Sequence, residues 1–469
     1  MNSKYKSLIK DTGIFALGNI GSKLILFVLM PLYTNFMTTE EYGTADLVLT
    51  FARLLIPIVS VVIQDAVLRF GMMHDLREEN VLLCSGAVFL ATVIVTVTIT
   101  PIVGLYEPVR PWRWYLCIYM LMYTACQIEF AYLKVENKNR KYALYSIAQT
   151  ALLCTFSILF IAKFHLGVRG YLESDIISGL LISGVIFFSE KLWNSLRRAS
   201  FDRHLLIQML SFSAPLVLDK ISWWIIHSSD KIMIEFMLGA TALGLYTVAS
   251  KIPSLINVVI TIFQNAWGIS SIREMESSND SEYYSTVFRM YSFATFCAGV
   301  GVIAVINPFM TIYVGKSFFE AWRYTPLLIA AAVFSSISAY FETFYATLKK
   351  TTHSMWTTLI CAGINIITNY LLIQKIGIWG ALVGTVFSYF LISHIRMADV
   401  RRYVNLQINW RKYIINVILL MVQAIIISLD YHIVGAAVIS IVIFVINNSE
   451  EIFLLIRVGK SILRKVKGN

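Results

Sequence analysis

Charge is what this chain has least of. Asp, Glu, Lys and Arg make up 14% of its 469 residues, against 57% hydrophobic residues, whereas a soluble domain carries about 25% charged residues. That allowance cannot cover a water-facing surface. No P-loop and no His-Glu-x-x-His occurs, so neither ATP-driven chemistry nor a zincin centre is expected, and no catalytic residue or cofactor is assigned. The six cysteines, Cys84, Cys117, Cys126, Cys154, Cys297 and Cys361, have no metal-ligand spacing and all fall in apolar stretches, which argues against a disulfide framework or a metal site. A cleavable leader is not expected either: the basic start runs into a full-length apolar segment with no small-residue cleavage pattern. The net charge of +11 needs no nucleic acid, because basic loops beside anionic lipid headgroups account for it.

What the chain has in abundance is apolar runs of about 20 residues, each long enough to cross a bilayer as a helix. They are continuous, unlike the alternating segments of about ten residues that form transmembrane strands. The reading is an all-α polytopic membrane protein with fourteen spans, near 11–34, 42–66, 81–104, 112–133, 142–164, 170–190, 205–227, 243–267, 286–309, 322–347, 354–374, 378–396, 411–430 and 432–447. The longest connection on the outer side is expected at about 228–242. Placing the N-terminus in the cytoplasm collects about 26 basic residues on that side and about 8 on the other, so both termini are expected there. Tryptophans near span ends, among them Trp114, Trp267, Trp322 and Trp410, read as interfacial anchors.

One pattern is written twice. LGVRGYL (Leu166 to Leu172) and IGIWGAL (Ile376 to Leu382) share aliphatic-Gly-aliphatic-x-Gly-x-Leu. EFAYLK before the first has a counterpart, ETFYATLK, before the second. Further upstream FMTTEEYGTADLV (Phe36 to Val48) resembles FMLGATALGLYTV (Phe236 to Val248). The order recurs with offsets of about 200 to 213 residues, or six spans, which implies duplication. An even number of crossings preserves direction, so the copies are expected as parallel repeats. The expected divisions are residues 1–200 and 201–400 for two six-helix lobes, and 401–469 for two extra helices with a basic tail. The paired glycines themselves read first as permitting a tight connection between helices.

With these motifs, YTNFMTTEEYGTADL, LGLYTVASKIPSLINVVITIFQNAW and INIITNYLLIQKIGIWGALVGTVFSY, the chain resembles the O-antigen and oligosaccharide repeat-unit flippases. Those belong to the multidrug, oligosaccharidyl-lipid and polysaccharide exporter superfamily. The resemblance implies two lobes around a central cavity that move undecaprenyl-pyrophosphate-linked sugar units from the inner to the outer leaflet of the cytoplasmic membrane by alternating access. It also implies partners: the lipid-linked oligosaccharide, membrane lipids, a coupling ion (proton or sodium) and other glycan-assembly proteins. A multidrug exporter of the same superfamily is the alternative reading. A membrane enzyme of polysaccharide assembly ranks third, for want of a sizeable outer loop.

Charges inside spans are costly, about 2.5 to 3.5 kcal/mol near a helix centre, and so need a reason. Lys23, Arg53, Lys220 and Lys251 lie deepest and are the candidates for receiving a pyrophosphate, Arg through its planar fork and Lys as a compact charge. Ion pairing is the competing reading, with Asp219 adjoining Lys220 and Asp46 seven residues before Arg53. Asp46, Asp219, Glu129 and Glu342 are the candidates for ion coupling or gating. Glu129 and Glu342 hold matching places in the two repeats, and each competes with a pairing to the following loop, at Lys134 or Lys349.

Overall fold

The computed structural model describes residues 27–73, 75–277, 281–348, 350–454 and Arg457. Among these residues there are helices and no strands. A short apolar helix α1, Phe27–Phe36, leads into α2 (Thr39–Ser60), α3 (Ile63–Gly71), α4 (Glu78–Val103), α5 (Arg113–Val135), α6 (Asn139–Ser157), α7 (Gly167–Ser189) and α8 (Leu192–Arg198). The chain continues through α9 (Arg203–Leu238), α10 (Ala240–Ser277), α11 (Ser281–Tyr313), α12 (Ala321–Thr347), α13 (Thr351–Ile376), α14 (Ile378–Val400), α15 (Trp410–Ser428) and α16 (Ile433–Asn447). Eleven of the described helices are long and apolar enough to cross a membrane. This is a multi-pass membrane protein, since a helix is the form in which an apolar run satisfies its own backbone polar groups in lipid.

The helix starts are set locally. Thr38 and Glu41 form a reciprocal capping box at α2, with the Thr38 hydroxyl accepting from the Glu41 N–H at 3.1 Å and Glu41 accepting from the Thr38 N–H at 2.8 Å. Asp202 caps α9 by accepting from the N–H groups of His204 and Leu205, and Asn409 caps α15 by accepting from that of Lys412.

Three expectations need correction. The second span is a broken helix rather than one rod: Val61 and Val62 both adopt left-handed backbone (φ 50 and 52) between α2 and α3. The preceding turn already lacks a hydrogen bond, because Pro57 has no N–H. The break is held by the Ser60 hydroxyl, which accepts from the Val62 N–H, and by Thr92, which donates to the Val59 carbonyl at 3.0 Å. Secondly, the connection expected at 228–242 is helical up to Leu238, since no glycine or proline falls between Ser228 and Gly239. Thirdly, Trp267 and Trp322 are buried rather than interfacial, whereas Trp114 and Trp410 remain exposed. Trp267 stacks on the buried Tyr340 at 5.0 Å, so its ring serves packing.

By contact the chain forms two compact units. The first comprises the residues up to Glu235 with Gly239–Gly244 and Val314–Ser317; in it α2 packs on α5 and α7, and α6 on α7. The second comprises Phe236–Leu238, Leu245–Tyr313 and Phe318 onward. There α14 packs on both α12 and α13, while α15 and α16 pack on α11, with Asn416 and Asn448 exchanging amide hydrogen bonds at 3.0 and 2.9 Å.

The paired glycines both have positive φ at a helix start. Gly167 opens α7 at φ 51 and Gly377 caps α14 at φ 60, a left-handed backbone that glycine adopts without a Cβ penalty. Three residues later, a Cβ on Gly380 would fall on the Leu372–Ile373 backbone of α13. The motif is thus a tight turn followed by a close helix crossing. The two Phe-Met…Gly segments meet inside the first unit, where a Cβ on Gly43 would strike the Ala240 carbonyl and one on Gly244 the Thr39 carbonyl.

Candidate functional site

The deepest charges of the first unit lie on α2 and the helices around it. Asp46 and Arg53 are seven residues apart and therefore share a face. Asp46 is buried, and its carboxylate accepts from the Lys231 ammonium of α9 at 2.7 Å. Arg53 is exposed yet surrounded by polar groups: its electrostatic neighbours are Tyr119 on α5, Asp46, and Tyr171 and Asp175 on α7. Pro57, four residues on, leaves the Arg53 carbonyl without its helical N–H partner. The Trp224 indole donates to the Thr50 carbonyl at 3.0 Å one turn before Arg53. Tyr171 lies against Tyr33 at 4.9 Å and edge-on to Tyr42 at 5.9 Å, forming an aromatic wall beside the charges.

Farther along the same face, Tyr123 stacks beside Tyr119 and has Arg53, Asp175 and Asp65 as charged neighbours. Asp65 of α3 meets Lys220 of α9 at 3.6 Å, with both side chains well exposed. Lys231, Asp46, Arg53, Asp175, Asp65 and Lys220 thus form a continuous charged track on α2, α3, α7 and α9. Arg53, Asp65 and Lys220 are the more exposed members of the track and Asp46 and Lys231 the more buried ones, and charges at membrane depth face a bundle interior or a polar cavity far more often than hydrocarbon. The track offers a planar guanidinium and an ammonium to an anionic group, and carboxylates that keep both in place.

Several candidates from the sequence lie elsewhere. Lys23 falls outside the described residues. Asp219 is exposed on α9 beside Lys220, whose carboxylate partner is Asp65 instead. Lys251 is half-buried on α10 in the second unit, two residues before Pro253. Among the described residues, both glutamates have other partners than a loop lysine. Glu129 accepts from the Ser183 hydroxyl at 3.0 Å, while Lys134 lies over the Tyr142 ring at 4.5 Å. Glu342 takes an ion pair with Arg396 at 2.8 Å and a hydrogen bond from Ser354 at 3.2 Å, and Lys349 lies outside the described residues.

Lys231, Asp175 and Asp65 escaped the sequence reading. Lys231 lies within 228–242, which the sequence presents as a connection. Asp175 carried the signal that should have found it, a carboxylate in the middle of an apolar span. Among the described residues no cluster of three or more His, Cys, Asp or Glu could hold a metal ion.

Comparison with known proteins agrees with this architecture. A protein of the Lsg locus of Haemophilus influenzae is 23% identical over 265 residues, covering 55% of this chain; the chain spans 64% of that relative's length. Among solved structures, the lipid II flippase MurJ in an inward closed conformation matches with a TM-score of 0.69 at 14% identity, covering 94% of this chain and 99% of that one. An inward-facing multidrug resistance MATE family transporter of the MOP superfamily matches with a TM-score of 0.65 at 15% identity, covering 83% and 94%. At such identities these two likenesses establish the fold. The family model described as polysaccharide biosynthesis protein matches residues 8–267, more than half of the sequence, and the chain therefore belongs to that family.

Proposed function

We propose that the protein is a flippase that carries undecaprenyl-pyrophosphate-linked oligosaccharide units from the inner to the outer leaflet of the cytoplasmic membrane by alternating access, for surface polysaccharide assembly. Its membership of a polysaccharide biosynthesis family and its flippase and transporter fold support the class of cargo and the kind of movement. The observation that carries the reading is the partly exposed charged track centred on Arg53. A diphosphate crossing a bilayer has to exchange hydration for fixed donors, and Arg53 supplies them where Asp46 and Asp175 hold it ready. Lys220, Lys251 and Lys23 are assigned as further cationic contacts for the pyrophosphate. The basic loops are assigned to the cytoplasmic face, which places both termini there. A proton or sodium gradient is assigned as the driving force, acting on a carboxylate among Asp46, Asp219, Glu129 and Glu342.

The test is surface glycan export from cells that produce the Arg53, Lys220 and Lys251 triple alanine variant at wild-type levels. Lost export with accumulation of lipid-linked units inside supports the flippase. Unchanged export with altered resistance to cationic drugs would move the protein to the multidrug exporter class.

A further inference from the structure

The two halves of the duplication differ at one acidic site. Glu129 on α5 and Glu342 on α12 hold matching places at an offset of 213 residues, and LISGVI (Leu181 to Ile186) on α7 and LISHIR (Leu391 to Arg396) on α14 match at the 210-residue offset of the paired glycines. In the second unit the last residue of that segment, Arg396, is buried and donates to Glu342, Ser338, Thr357 and Thr358 at 2.7 to 3.1 Å. In the first unit the corresponding residue is Ile186. Glu129 is only 8% exposed; one carboxyl oxygen accepts from Ser183, and the other is buried with no hydrogen-bond partner. It borders a cavity of about 350 Å³ whose wall includes Leu82, Phe89, Phe187 and Leu196 and contains no other charged side chain.

We infer that Glu129 is a proton-binding site of the first unit, and that Arg396 has converted its twin, Glu342, into a fixed structural ion pair. Removing an unpaired carboxylate from water is costly, and protonation removes that cost while providing an O–H for the unpartnered oxygen. Charges on the surrounding elements are engaged elsewhere. Glu190 at the end of α7 is taken by Lys138 and Lys141, Arg197 of α8 lies over the Trp193 ring, and the titratable group beside Glu129 is the Cys126 thiol on its own helix. On α4 the acids Glu78 and Glu79 sit at the helix start, outside the cavity wall. Glu129 lies within two turns of the basic-loop end of α5, so a modest opening of that end brings it water and releases the proton. This inference sharpens the coupling step of the proposed function and rests on that reading for the direction of transport alone.

The test reads protonation without any cargo. Dicyclohexylcarbodiimide reacts with protonated carboxyls in apolar surroundings: the acid O–H adds across one C=N bond, and the O-acylisourea rearranges to a stable N-acylurea. On the full chain in lipid nanodiscs, peptide mass spectrometry is expected to find the adduct at Glu129, falling about tenfold per pH unit above its midpoint, and to find Glu342 unlabelled. Arg396→Gln should make Glu342 reactive, with Glu129 labelling in the same sample reporting an intact fold. Infrared difference spectra between acid and alkaline pH should contain a carboxylic C=O band that Glu129→Gln removes, which covers the case of a cavity too tight for the reagent. Absence of both the adduct and the band at every pH, or equal labelling of Glu129 and Glu342 in the unmutated protein, overturns the inference. Unchanged glycan export in cells lacking the protein, with these signals present, would instead count against the proposed cargo and leave the proton site standing.

Discussion

At the scale of single residues, the charges of the first unit work as a set. Arg53→Ala removes a charge-assisted partner worth about 1.5 to 3 kcal/mol, so export is expected to slow by about tenfold to a hundredfold while membrane insertion persists, since deleting a mid-span charge eases insertion. Arg53→Lys should recover part of the rate, because the charge returns without the planar fork. Glycan export at matched protein levels measures both. Lys231 has a different task. Its ammonium is the close counter-ion of buried Asp46, and losing one partner of a buried pair costs up to about 3 to 5 kcal/mol, less here because Arg53 also faces that carboxylate. Thermal unfolding in detergent should therefore show Lys231→Met as destabilised, and the Asp46→Asn, Lys231→Met double variant as closer to wild type than the single change. Arg53 was legible in the sequence as a costly mid-span charge, and Asp46 as a carboxylate on the same helix face. Asp46's partner was not, because a carboxylate 185 residues before its lysine leaves no local pattern.

At the scale of elements, the repeated glycine motif makes a sharp contrast available. A methyl at Gly380 meets backbone of α13, which cannot move aside, whereas one at Gly184 on α7 meets nothing within 4 Å. Gly380→Ala is expected to lose about 1 to 3 kcal/mol through overpacking, and Gly184→Ala to be neutral or to gain from helix propensity; thermal shift assays on the purified variants decide. The end of α7 carries a pH-sensitive clamp. Burial works to raise the Glu190 carboxyl, but hydrogen bonds from Lys141, Tyr145 and Lys138 outweigh it and hold the group down at about 2. A depressed carboxyl stabilises the fold above its unfolded value and loses that contribution as pH falls through its folded value. The clamp should thus be complete at neutral pH and fade as pH drops from about 4.5 to about 2. Melting temperature should fall more steeply over that window in wild type than in Glu190→Gln, and equal slopes would refute the clamp.

At the scale of the whole molecule, the basic loops predict orientation. Single cysteines placed at Lys138 and Arg401 in a cysteine-free background should be protected from an impermeant maleimide in intact cells, and those at Glu40 and Lys316 should react. Labelling at Lys138 from outside would invert the topology. All four positions are at least partly exposed, so access does not confound the outcome.

The sequence by itself determined the all-helical membrane class, because scarce charge and long apolar runs leave a bilayer as the one solvent that suits them. It also contained the two glycine turns, since the chemistry that permits positive φ at Gly167 and Gly377 is written in those residues themselves. The partners of the buried charges were decided by tertiary structure alone. Glu129 and Glu342 read alike, each a carboxylate before a basic loop. Only helix packing brings Arg396 against Glu342 from 54 residues away and leaves Ser183 against Glu129. A buried charge is governed by what lies within a few ångströms of it, and that neighbourhood is assembled from helices far apart along the chain.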